Sequence, residues 1–180
     1  IKKDKINNFN NITKNRQNIE KIKIPIIYDE IIKYNELSCS IVVFINFIDT
    51  LNEISNKLNK DKLDFSIIKG NQSIDDRHKN IELFQINKNK IILCMIQCGG
   101  ESINLNDKVG KYPRISLISP SLSSIDLLQA IGRSYRTDSK SNCIQKIIFC
   151  ANTYEEKISK ILKKKNDFIN QLCDEDLISF

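Results

Sequence analysis

Gln129, Arg133 and Arg136 stand at i, i+4 and i+7 in the stretch Gln129-Ala130-Ile131-Gly132-Arg133-Ser134-Tyr135-Arg136. On a helix this spacing puts all three side chains on one face, with Ile125, Leu128 and Ile131 on the other to pack it down. Two guanidiniums held side by side on a rigid element make a site for a polyphosphate. Arginine stays charged and offers a planar fork of donors to charge spreading over a transferring phosphoryl group. The plainer alternative is a helix whose surface arginines pair with acids, and the spacing alone does not separate the two.

A second stretch, Cys98-Gly99-Gly100-Glu101-Ser102-Ile103-Asn104-Leu105, follows the apolar run Ile91–Met95. Two glycines at the carboxyl end of a parallel strand let backbone approach a ligand closely, and ligands of such sheets bind at that edge. An ordinary strand-to-helix turn would read the same way. A third set is Gly70, Arg77 and Phe84: a tight turn after a strand, a cation within reach of a phosphate backbone, and a core aromatic.

Asp29-Glu30, after the apolar Ile24-Pro25-Ile26-Ile27-Tyr28, resembles an acidic pair that holds Mg²⁺ in nucleotide hydrolases. That role needs an upstream phosphate loop ending in Gly-Lys-Ser/Thr. The first glycine is Gly70 and no such tripeptide occurs, so the pair reads as a solvated helix face. Pro25 suits the first turn of a helix better than a central strand.

Five short runs rich in Ile, Val and Phe must position these groups: Ile41–Phe47, Phe65–Ile68, Ile91–Met95, Ile115–Ile118 and Ile144–Phe149. Such runs are expected of strands buried on both faces of a parallel sheet. Between them, Leu51, Ile54 and Leu58, then Ile74, Ile81 and Phe84, then Ile125, Leu128 and Ile131 recur at helical spacing. Thr50 with Glu53, Ser73 with Asp76, Ser123 with Asp126 and Thr153 with Glu156 fit the pattern of a capped helix start. Alternating strands and helices predict an α/β doubly wound parallel sheet of about five to six strands flanked by helices. Residues 1–20 read as a polar arm or linker, 21–172 as the domain, with a closing helix over 153–172, and 173–180 as a tail.

The chain has 180 residues, 41% apolar and 28% charged, enough for one domain with a sizeable core. The net charge of +6 is compatible with a phosphate-bearing partner. No apolar run reaches the roughly 18–20 residues of a membrane span, and the polar, basic start is unlike a secretory signal. Six cysteines without a Cys-x-x-Cys pair, and one histidine, His78, argue against a zinc site and for a reducing, intracellular setting.

In this order the segments resemble the C-terminal RecA-like lobe of superfamily 2 helicases. Ile41–Phe47 resembles motif IV of that family, Cys98–Leu105 motif V, and Gln129–Arg136 the Gln-x-x-Gly-Arg-x-x-Arg of motif VI. Gly-Gly-x-x-Ile-Asn-Leu points to the Swi/Snf-like branch. Glu20–Pro25, Val42–Phe47 and Thr153–Ile158 resemble strawberry-notch-type proteins and their viral and phage relatives. The resemblance implies a two-lobed ATP-dependent motor. ATP and Mg²⁺ would be bound mainly by an N-terminal RecA-like lobe, with Arg133 and Arg136 reaching across as arginine fingers and Gln129, Gly132 and Gly100 near the nucleotide. Gly70, Arg77, Gly99 and Asn104 would touch DNA or RNA. Ile96, where the family often has Thr, and the acid Glu101 depart from motif V. The alternative is a non-catalytic scaffold that keeps the lobe's shape and docks nucleic acid or protein.

Overall fold

Strands covered on both faces take the middle of the sheet. In the structure, a computed structural model describing residues 2–100, 103–158 and 160, β1 (Ser40–Ile45) and β4 (Arg114–Ile118) are buried along their whole length. With β2 (Phe65–Ile68), β3 (Ile91–Met95) and β5 (Cys143–Ile147) they form one sheet in the order β2-β3-β1-β4-β5. Every pairing is parallel, with Val43 level with Leu93 and Leu117. From β1 the chain goes to the outer β2, returns inward through β3, and then crosses β1 to β4 and β5, so the winding of this α/β doubly wound sheet reverses about β1. The expected strands all occur, β2 and β3 with the expected ends and the other three with ends shifted by one or two residues.

Alternation along β1 divides the core. Ile41, Val43 and Ile45 face α2 (Ile24–Glu36) and α3 (Ile48–Lys60), whereas Val42 and Phe44 share the other layer with residues of α4 (Ile74–Gln85) and α5 (Ser124–Ser134). Each such side chain contributes about 1.5–3 kcal/mol on burial. Leu51, Ile54 and Leu58 bury the expected face of α3. The other two expected faces need correction. On α4, Ile74 is 70% exposed and Arg77 joins Phe84 inside. On α5, Ile125 and Leu128 are exposed, and Leu127, Ala130 and Ser134 meet the sheet. α5 is apolar on both sides, so hydropathy does not say which side is the core.

Ser73 and Ser123 cap α4 and α5 as expected, their hydroxyls accepting from the N–H of Asp76 (3.1 Å) and Asp126 (3.2 Å). Thr50 caps nothing: α3 starts at Ile48 and Thr50 is buried inside it. At the fourth proposed start, Thr153 Oγ1 accepts from Glu155 N–H and the Glu156 carboxylate accepts from Asn152 N–H. Residues 154–158 are helical; the rest of the expected closing helix, past 160, and the tail lie outside the described residues. Three helices end in Schellman turns without glycine. Ser38, Lys62 and Asn87 take positive φ (56°, 55° and 58°), and the next residue's N–H returns to the helix, as Leu63 does to the Leu58 carbonyl at 2.9 Å.

The stretch 1–20, read as a polar arm or linker, is helical from Lys2: α1 (Lys2–Ile22). Its last turn reaches the carboxyl ends of β1 and β4. There the buried Glu20 carboxylate accepts from the N–H groups of Asn46 and Phe47, the Asn46 amide (2.7 Å) and the Ser119 hydroxyl (2.8 Å). Lys23, between α1 and α2, donates to Ser119 Oγ (2.6 Å), the Ile148 carbonyl (3.1 Å) and Glu155 Oε1 (2.7 Å). Asp29 and Glu30 lie on α2, and Glu30 pairs with Lys146 at 2.6 Å.

Candidate functional site

Both guanidiniums of the Gln-x-x-Gly-Arg-x-x-Arg stretch are brought to one end of α5. The helix is pinned there by the Gln145 amide donating to the Ile131 carbonyl (2.6 Å) and by Ser134 Oγ against Ser116 Oγ (3.2 Å). α5 stops at Ser134, and Tyr135 is extended, with φ −119° and ψ 130°. This corrects the expectation of three side chains on a single helix face. Gln129 and Arg133 stand on the helix, and Arg136 projects from the extended segment beyond it, exposed. Tyr135 could not carry the helix on, because residues 136–142 must turn back into β5; Arg136 and Ser139 close that turn with paired hydrogen bonds of 3.2 and 3.0 Å. Arg133 is half-buried and donates to the Ile103 carbonyl (3.3 Å). Burial first, and then the positive charge of Arg136, push its guanidinium below its usual value. The two cations are thus close enough to feel one another, and an anion between them would relieve that repulsion. Gly132 faces solvent, and a Cβ there would meet nothing within 4 Å, so packing does not demand glycine.

From the carboxyl end of β3 the chain makes a 3-10 turn, Ile96–Gly100, which carries Gly99 and Gly100. A strap from Ile103 to Asp107, with Ile103 and Leu105 buried under α5, runs to the amino end of the sheet. Leu105 N–H donates to the Arg133 carbonyl (3.0 Å), the Gln85 amide to the Asn104 carbonyl (2.7 Å), and the Asn106 amide to Asp138 (3.0 Å). Asn104 therefore lies with the arginines, away from Gly70 and Gly99. The two glycines stand in the turn after β3, and Asn104 stands on the strap.

Gly70 follows β2, where Lys69, Asn71, Ile48, Met95, Gln97 and Cys98 line an open depression of about 440 Å³ at the carboxyl edge of the sheet. Its turn is held by Gln72, which accepts from Lys69 N–H (2.9 Å) and donates to the Ile67 carbonyl (3.0 Å). Arg77 does not present its charge at this surface. It is 7% exposed and donates to the Lys69 carbonyl (3.4 Å), bracing the rim from beneath. Burial raises the Cys98 thiol above its usual range, against the nearby Arg77 charge.

The sequence pattern of the family described as "Helicase conserved C-terminal domain" matches residues 22–138 of this fold. The chain belongs to that family. This helicase C-terminal domain is 41% identical over 172 residues to a "Putative ATP-dependent RNA helicase L364" of Acanthamoeba polyphaga mimivirus, covering 95% of the chain and 31% of the mimivirus protein. In fold it resembles the C-terminal domain of the DEAD-box protein Dbp5, with a TM-score of 0.58, 19% identity and 77% of each chain covered. It also resembles the C-terminal part of the Fun30 ATPase domain, with a TM-score of 0.58, 24% identity, and 69% and 40% covered. The sheet is that of a RecA-like helicase C-terminal lobe. The helicase domain thus spans about a third of the length of its mimivirus relative.

Sequence reasoning missed what fills the crevice beside β1. In open α/β sheets, ligands sit outside the carboxyl ends of the strands where the winding reverses. In this helicase domain Glu20, Lys23, Asn46, Ser119 and Glu155 occupy the ends of β1 and β4 with buried, mutually bonded groups. The only signal was in two charged phrases, Glu20–Pro25 and Thr153–Ile158, which turn out to face each other. Lys69 and Gln97, at the rim of the depression, were also passed over; their places just after β2 and β3 were the available clue.

Proposed function

We propose that this chain is the C-terminal motor lobe of an ATP-dependent helicase or translocase, supplying arginine fingers and part of a nucleic-acid track. The observation that carries the reading is the junction at the end of α5, where Arg133 and Arg136 sit together. None of the ion pairs among the described residues involves Arg136, unlike a structural surface arginine. Held by α5 and the strap, the pair would stabilise negative charge on a transferring phosphoryl group, with Gln129 beside it.

The chemistry of its donors fits the phosphates of ATP but not a bound metal: it offers guanidiniums and an amide, and Asp29 and Glu30 stand on a helix face. ATP and Mg²⁺ would be held mainly by an N-terminal RecA-like lobe whose closing against this one completes the site. With the crevice beside β1 filled from within, the chain has no phosphate cradle there. The depression by Gly70, Lys69 and Gln97, with Gly99 on its flank, is the proposed path of a DNA or RNA backbone, read through phosphates rather than sequence.

The test is ATP turnover, with and without DNA and RNA, by the two-lobed protein carrying Arg133→Ala and Arg136→Ala. Loss of stimulated turnover with an unchanged melting temperature supports the reading. Wild-type turnover would overturn it and leave a scaffold that keeps the lobe's shape.

A further inference from the structure

Arg114, the first residue of β4, is fully buried, an expensive place for a cation. Its guanidinium lies 4.3 Å over the Phe84 ring and donates to Asn87 Oδ1 (3.2 Å) and Gln85 Oε1 (3.3 Å). It also pairs with the equally buried Asp107 at 3.9 Å. Burial, against the Asp107 charge, pushes its pKa down only to about 10, so it remains a cation at neutral pH.

What it touches leads in two steps to the arginine pair. Gln85, which accepts from Arg114, donates with the same amide to the Asn104 carbonyl. Asp107 holds its own loop through the N–H groups of Val109 and Gly110, and its carbonyl receives Lys140 N–H at 2.8 Å. Lys140 belongs to the turn that begins at Arg136. Leu105, between Asn104 and Asp107, is bonded to the Arg133 carbonyl. The strap from 104 to 107 is thus fastened on one side to α5 and the Arg136 turn, and on the other to this buried cation.

We propose that Arg114 is a positioning residue for the reaction: by fixing the strap 104–107 through Gln85 and Asp107, it sets the place and spacing of Arg133 and Arg136. A fork of donors is needed because two acceptors and a carboxylate must be met from one point, which a lysine ammonium on a flexible stem does not reproduce. The inference rests on the proposed role of the arginine pair, and its test keeps the two apart.

In the two-lobed protein, Arg114→Met, Arg114→Lys and Gln85→Ala are compared with the double variant Arg133→Ala, Arg136→Ala. The readouts are kcat, KM for ATP, nucleic-acid affinity and melting temperature. Misplacing a catalytic group by about an ångström can cost up to a hundredfold. The expected result is a kcat reduced roughly tenfold or more in Arg114→Met, with KM and nucleic-acid affinity within about twofold. Arg114→Lys should fall between, and Gln85→Ala should change kcat in the same direction. Gln85 is only half-buried, so its variant decides the matter should Arg114→Met fail to fold. Wild-type kcat in Gln85→Ala and in any folded Arg114 variant, beside a dead double-arginine variant, overturns the positioning role alone. A fully active double-arginine variant removes the reading on which it rests.

Discussion

Lys23 Nζ and Glu155 Oε1 are 2.7 Å apart across 132 residues of sequence, and each side chain is 1% exposed. With Glu20 and Ser119 they tie the junction of α1 and α2 to the segment after β5. A buried pair of this kind contributes little beyond a well-packed apolar replacement, yet breaking it from one side strands a charge away from water. Lys23→Met should therefore lower unfolding stability by about 3–5 kcal/mol, read from urea titration. Adding Glu155→Gln should restore part of that loss. A single variant costing under about 1 kcal/mol would show that water reaches the pair.

Asp107 gives the acid limb of stability a specific owner. Burial alone would raise its carboxyl, but the Ser141 hydroxyl, the N–H groups of Gly110 and Val109 and the Arg114 charge hold it below the usual 3.8. A carboxyl lowered in the folded state binds fewer protons there than in the unfolded chain. Its contribution is complete above pH 3.8 and is lost as pH falls through the lower folded value. Stability curves of the wild type and Asp107→Asn should converge on acidification through that window. Parallel curves would assign the acid loss to other groups, of which Glu30, lowered mainly by the Lys146 hydrogen bond, is one.

Lys62 occupies a backbone conformation that suits glycine, at the exposed end of α3. Lys62→Gly relieves the crowding of Cβ against the carbonyl and should raise stability by about 1 kcal/mol, the usual scale of that penalty. A destabilised variant would mean that the stem of Lys62 contributes packing.

The orientation of α5 is open to a paired substitution. Leu127→Ala should cost about 2–5 kcal/mol as a core truncation, whereas Ile125→Ala should stay within about 0.5. The reverse ranking in thermal melts would restore the face that hydropathy suggested.

That last contrast shows where the sequence was legible and where it was not. The strands were plain because Val42–Phe44 and Ile91–Leu93 have no polar alternative to burial, and the Ser73 and Ser123 caps are local chemistry. The glycine-poor helix ends at Ser38, Lys62 and Asn87 gave no such mark. α5 carries apolar residues on more than one side, so only its packing on β4 shows that Leu127 lies inside. Arg77 read as a cation for a phosphate backbone and Arg114 gave no signal, since a chain does not say which cation a carbonyl rim or a phenyl ring will cover. The arginine pair was visible as a motif, but the stop at Ser134 that separates Arg133 from Arg136 depends on the turn into β5. The partners Lys23 and Glu155 were too far apart in sequence to be joined by any local rule.

The two outermost strands of the sheet differ from the rest. β2 has four residues, and β5 carries Lys146, tied to Glu30, within a strand of five. An outer strand with unpaired backbone is a template on which another molecule can add a strand, and shortness or a lysine discourages such growth. Among the described residues, then, neither flank of the sheet invites a neighbour to extend it. Copies crowded together at high concentration should stay separate at these flanks.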